Sequence, residues 1–302
     1  MIARRIAGCV ALCLFASVPA WSQTPAHQHD GMAGMDHAAM GPVSAQAQRE
    51  IAEVAKATQP LGVQTAAATA GFKPVFGWIP TMGVHWVDDS RMAKDKQSDL
   101  TAPDNLMFSK INGRDSLVGA AYAYFTPVAD TARPALFDGT PAWHQHQDLA
   151  PPGETLVMLH VWFVPSPDGP FAGTNPNLPF WAAGLAAPDS SRMHDATFNS
   201  RVRRAGLGIA DVTDTLSIFP RMARRPDVQV AVQPYRDSLR AIIPELLAAQ
   251  KAKDVARWDR AAERAATQWD AVYQTYLAHA PSPLAKQLME KRVAMLLGKH
   301  AH

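Results

Sequence analysis

Two groups of histidines in this chain have the spacing to do chemistry. The first lies in His27-Gln28-His29-Asp30-Gly31-Met32-Ala33-Gly34-Met35-Asp36-His37-Ala38-Ala39-Met40, where three imidazoles and three thioethers alternate with Gly, Ala and Asp. Imidazole suits copper, zinc and nickel, and thioether suits cuprous ion in particular. A segment that cannot build a core can still bring such groups together on a metal ion without a preformed cage. Copper is the favoured ion outside the cytosol, with zinc or no metal as the alternatives; the bland reading is a linker whose His and Met are incidental.

The second group is His85, His144, His146 and His160. In an extended segment residues i and i+2 share a face, so His144 and His146 can point to one place. One or two imidazoles from neighbouring strands would complete a site for zinc, copper or iron. The favoured alternative makes His85 and His160 core histidines, each bonded to a backbone carbonyl, with Trp86 and Trp162 simply packing and the His144/His146 pair in a surface loop. A buried histidine needs few partners to be satisfied. Asp88, Asp89 and Asp148 could add oxygen ligands, although Asp88-Asp89-Ser90 also reads as a turn.

The elements that must position these residues follow from the texture of the chain. Arg4 and Arg5, then an apolar run from Ile6 to about Ser17 and small residues near Ala20 and Ser22, read as a cleaved signal peptide over residues 1–22. Both cysteines, Cys9 and Cys13, fall inside it, so the mature chain is expected to lack thiols, which excludes thiol catalysis and thiolate zinc sites. The formal charge of +2 is carried by the same two arginines; 29 basic residues less these two leave 27 against 27 acidic ones. A balanced chain offers no general field for nucleic acid or anionic membrane. Beyond the leader there is no apolar run of about 18 residues, so no membrane span is expected. No Gly-rich phosphate loop, nucleophile elbow or His-Glu-x-x-His helix appears, and no carboxylate pair stands out.

Ile51, Val54, Ala55 and Thr58 fall at helical spacing between Pro42 and Pro60, predicting a short amphipathic helix over Ser44 to Thr58. From Gly71 to Phe180 the aromatic, β-branched, Gly and Pro content predicts strands at Gly83–Val87, Asn105–Lys110, Leu117–Phe125 and Thr155–Val164, with a hairpin turn at Asn112-Gly113. Alternation sets Tyr122 and Tyr124 on one face of the third strand and mainly small residues on the other. The fourth strand is apolar on both faces except for His160, which predicts a central position and a buried histidine. Past Pro188 the basic clusters at Arg201–Arg204 and Arg221–Arg225 read as solvated surface. A stripe from Tyr235 to Leu247 predicts a helix kinked at Pro244. Val255, Trp258, Ala262, Ala265, Trp269, Val272 and Tyr276 predict a long helix behind the cap Asp254, and Ser282-Pro283 starts a last one that Gly298 ends.

Three motifs taken together carry a resemblance: Met82-Gly83-Val84-His85-Trp86, Leu159-His160-Val161-Trp162, and Ser166-Pro167-Asp168-Gly169-Pro170-Phe171 running to Asn175-Pro176. In this order they resemble an uncharacterised family of bacterial secreted or envelope proteins, over about residues 66–180. The resemblance implies an α+β domain able to self-associate and implies no known reaction. The matching positions are His85, His160, Trp162, Gly169, Phe171, Asn175 and Pro176. Ala121 stands where the family pattern carries glutamate before its tyrosine, and Ser166 where it tends to carry asparagine.

The expected protein is therefore periplasmic or secreted, of α+β class, with an antiparallel sheet domain and a C-terminal helical region. Its expected divisions are a signal peptide (1–22), a flexible His/Met-rich segment (23–42), a sheet domain (43–187) and a helical region (188–302). The expected function is metal handling, with copper favoured, by His27, His29, Met32, Met35, His37 and Met40. The alternatives are a metal-dependent enzyme or small-molecule binder using His85, His144, His146 and His160, and a structural envelope protein that forms homo-oligomers through the Trp258–Tyr276 seam.

Overall fold

The computed structural model describes residues 43–75, 77–92, 99–137, 143–213 and 218–299. The expected signal peptide (1–22) and His/Met-rich segment (23–42) lie outside these residues. The fold is α+β: one antiparallel sheet followed by a helical region. The strands are β1 (Lys73–Pro74), β2 (Val84–Val87), β3 (Asn105–Ile111), β4 (Arg114–Pro127), β5 (His144–His146) and β6 (Glu154–Trp162), in the order β1-β2-β3-β4-β6-β5. The helices are α1 (Ala45–Thr58), α2 (Gln64–Thr69), α3 (Leu178–Ala182), α4 (Ala196–Thr213), α5 (Pro220–Ala223), α6 (Pro226–Ala252), α7 (Val255–Ala278) and α8 (Pro283–Leu296).

Local chemistry explains most of these boundaries. The Ser44 hydroxyl accepts from the Ala47 amide and starts α1, Asp254 accepts from the Arg257 amide at the head of α7, and Ser282 accepts from the Ala285 amide at the head of α8. Each satisfies an amide that the first turn of a helix leaves without an intrahelical acceptor. Asn112 and Gly113 take positive φ (51° and 77°), the geometry that lets a two-residue turn join the twisted strands β3 and β4. The register slips once in this hairpin: Met107 faces Gly119 but Phe108 faces Leu117, which leaves Val118 as the extra residue of a bulge.

The sheet is covered on both faces. On one, Tyr122 and Tyr124 of β4 and Val157, Leu159 and Val161 of β6 pack with Ala47 and Val54 of α1 and with Phe137, Trp143 and Phe171. The other face carries Ala121, Ala123, Leu156 and Met158 with Val87 and Met92. A separate apolar core fills the helical region, where Val202, Leu207 and Ile209 of α4, Val232, Leu239 and Leu246 of α6, and Trp258, Trp269, Val272 and Tyr276 of α7 are buried together. Phe180 and Leu185 belong to this helical core, so in packing terms the boundary falls a few residues before Pro188.

Three expectations need correction. Val255, expected in the α7 seam, is 59 % exposed, because it occupies the first helical position, beyond the reach of α4 and α6. Of the apolar side expected for α8 (Leu284, Leu288, Met289, Met295 and Leu296), Leu284 and Leu288 are exposed, whereas Met289 and Leu296 are buried, together with Val293. Arg201, Arg203 and Arg204 are not merely solvated: they lie within α4 and pair with Glu263, Asp168 and Asp270. Two of those carboxylates are on α7, so the basic cluster ties α4 to its neighbour.

Candidate functional site

The histidine-bearing face of the sheet is assembled by register. Across β3–β4–β6, Asn105 faces Ala121 and Ala121 faces His160; one step along, Met107 faces Gly119 and Gly119 faces Trp162. On β2, His85 faces Met107, and on β5, His144 faces Met158. Side chains of directly paired residues share a face, and so do residues two apart on one strand. His85, His144, His146 and His160 therefore project from one side of the sheet, together with Met107, Met158 and the small residues Gly119, Ala121 and Ala123.

The four rings converge. The Nε2 atoms of His85 and His160 are 3.4 Å apart, although their strands are three spacings apart, roughly 14 Å in a flat sheet. The rings meet over β4 because its residues there are too small to block them. The ring of His144 is centred 5.0 Å from that of His160, and the rings of His144 and His146 are also 5.0 Å apart. His85 and His160 are 3 % and 1 % exposed. The His144/His146 pair, which the plainer reading places in a surface loop, forms the short strand β5 on the edge of the sheet.

One proton is fixed by geometry. The Nδ1 atom of His160 is 2.9 Å from the carbonyl oxygen of Gly173. A carbonyl can only accept, so Nδ1 carries the hydrogen, and in a neutral imidazole Nε2 then carries the lone pair. The expectation that a buried histidine bonds to a backbone carbonyl is thus realised at His160, alongside the convergence. Burial disfavours the charged form of both inner rings. It pushes His85 down to about 4, with the charge of His146 acting in the same direction, and it holds His160 well below the ordinary histidine range, aided by His144 and His85.

The Gly173 carbonyl is held by the loop after β6. Trp162 donates from its indole Nε1 to the Ala172 carbonyl, and its amide donates to Pro170. Asn175 and Asn177 both donate side-chain amides to the Pro165 carbonyl, and the Asn175 amide donates to Thr81, just before β2. Gly83 sits at φ 76° with its α-carbon so close to β3 that an added Cβ would fall 2.4 Å from the Phe108 carbonyl oxygen. Each of Gly83, Trp162 and Asn175 thus has a physical task in setting His85 or His160.

Of the oxygen ligands that the sequence offers, Asp88 is engaged elsewhere. Asp88 accepts from the Ser90 amide and hydroxyl and pairs with Arg91, as its turn reading implies. Asp104, which sequence reasoning missed, is buried just before β3: it accepts from the Ala123 amide of β4 and from the side chain of Asn105. Burial pushes its carboxyl up to about 7, against those hydrogen bonds. Among the described residues, no set of three or more His, Cys, Asp or Glu side chains already stands in metal-holding geometry. The inner pair, His85 and His160, does have a ligand-like spacing: two nitrogens at 2.0–2.1 Å from a tetrahedral metal lie roughly 3.3–3.4 Å apart. The candidate tether ligands His27, His29, Met32, Met35, His37 and Met40 lie outside the described residues. Comparison with protein-family models, with curated proteins and with solved structures finds no match.

Proposed function

We propose that this protein is a secreted metal-handling protein that holds one transition-metal ion between His85 and His160, with His144 moving in as a further ligand. The observation that carries the reading is the 3.4 Å separation of the two inner Nε2 atoms, combined with the fixed tautomer of His160. That separation is long for an N–H···N hydrogen bond and matches the nitrogen–nitrogen edge of a tetrahedral site. A ligating histidine that donates its other N–H to a backbone carbonyl is the usual supporting arrangement at metal sites. Burial of both inner rings favours storage or delivery over catalysis, because a catalyst needs an open coordination position that substrate can reach. The tether His27–Met40 would supply the exchange ligands outside the sheet, and its mixed imidazole and thioether donors favour copper.

The test is metal content by mass spectrometry on protein purified from the periplasm, for the intact chain, for His160→Ala and for a chain lacking residues 24–42. A single retained ion that survives loss of the tether and disappears with His160→Ala is the expected result. Copper that leaves with the tether and ignores His160→Ala would move metal handling to the tether alone, and no metal in any form would overturn the reading.

A further inference from the structure

The donor types around the histidines point further than to a metal in general. The two residues directly opposite His85 and His144 in the sheet register are Met107 and Met158, both buried. Met158 also precedes His160 by two residues on β6, on the same face. The terminal methyl of Met107 lies over Gly119, 2.6 Å from where a Cβ would stand, which places the thioether end above β4. With β3, β4 is one of the two strands that separate His85 on β2 from His160 on β6. A buried methionine alone is ordinary packing; here two of them border an imidazole cluster at register positions that share its face.

The charge around the cluster points the same way. Among the described residues, the side-chain charges that bear on His160 are those of three histidines, His144, His85 and His146. The nearby acids Asp88 and Asp104 are taken up by a turn with Arg91 and by the Ala123 amide of β4. The cost of moving an ion out of water rises with the square of its charge, so a dication here would cost about four times what a monocation does. Thioether is a ligand for soft cuprous ion and not among the usual ligands of zinc.

We infer that the site takes Cu(I), held by the Nε2 atoms of His85 and His160 with a thioether from Met107 or Met158, and discriminates against Zn(II). This rests on the metal-handling reading and specifies its ion. The test uses a full-length chain in which His27, His29, Met32, Met35, His37 and Met40 are replaced by alanine, so that the tether does not compete. Cu(I) is titrated against bicinchoninate under reducing conditions and Zn(II) against a zinc chelator, and the copper-edge absorption spectrum is recorded. Met107→Leu and Met158→Leu, singly and together, conserve core volume, and circular dichroism checks their fold. The expected result is a single equivalent of Cu(I) with sulfur in its first shell. Its affinity should fall by at least about 10- to 100-fold in the double variant, the range produced by losing even a supporting contact at a metal site, with Zn(II) affinity unchanged. Cu(I) or Zn(II) bound in a His160-dependent way with a nitrogen-only shell and no effect of leucine would overturn the cuprous assignment and leave the metal reading standing. Failure of both ions to bind would overturn both.

Discussion

At the scale of single residues, the site depends on what β4 lacks. Gly119, Ala121 and Ala123 leave room for rings from β2, β5 and β6 to meet, and a Cβ on Gly119 would lie 2.6 Å from both the Met107 methyl and the Val161 carbonyl oxygen. Gly119→Ala is expected to cost roughly 1–3 kcal/mol by overpacking, read from the denaturation midpoint, and to lower metal occupancy with it; an unchanged midpoint would refute this origin of the gap. Asp104 is the other residue whose burial has a measurable consequence. Its folded-state value of about 7 lies above the ordinary aspartate value of 3.8, so the folded protein binds the extra proton between those limits. Its contribution to stability is therefore greatest below about pH 4 and declines as the pH rises to about 7, by at most about 1.4 kcal/mol for each step of one in pH. The buried imidazoles act in the opposite sense, so the readout is the difference between the wild type and Asp104→Asn in urea unfolding. That difference should shift in favour of the variant as the pH rises from 4 to 7, and a constant offset would contradict it.

At the scale of elements, the loop from Pro165 to Asn177 turns a strand end into a histidine support. Asn175 ties it to Pro165 through its side chain and to Thr81 through its backbone, and Trp162 clamps Ala172, next to the carbonyl that holds His160. Asn175→Ala removes the side-chain acceptor of the buried Asn177 amide as well as a donor to the Pro165 carbonyl, and is expected to destabilise the fold by about 1–3 kcal/mol. It should also weaken metal binding, whereas the capping variant Ser282→Ala, far from the site, should cost about 1 kcal/mol and leave binding untouched. Equal metal affinity in Asn175→Ala and the wild type would show that the loop does not position His160. The long helices were legible because periodicity and caps agree along α7 and α8. Helix α4 was not, since its Arg201-Val202-Arg203-Arg204 run looks like solvent-facing surface until Glu263, Asp168 and Asp270 are brought opposite it.

At the scale of the whole molecule, the sheet and the helical region are joined at the loop that serves the histidines, where Asp168 pairs with Arg203 of α4, both side chains largely buried. Removing one partner of such a pair leaves a buried charge uncompensated. Arg203→Met should therefore cost about 3 kcal/mol or more, while Asp168→Asn combined with Arg203→Met should recover much of that. A double-mutant cycle on the thermal midpoint measures this, and simple additivity would show the pair to be inert. What the sequence by itself determined is what short-range rules control: the α+β class, the four long strands within a residue or two except for β4, which runs further at its start, the Asn112-Gly113 turn, the capped helices, and the burial of His160 on an apolar strand. These follow from period-2 and period-3.6 patterns that each segment carries alone. Only the tertiary structure decided that His85 and His160 meet, that the His144/His146 segment pairs as an edge strand and not a loop, and that Met107 and Met158 stand opposite histidines. Those facts depend on strand order and register across 75 residues of chain separation, set by the packing of both sheet faces together, and no local pattern encodes them.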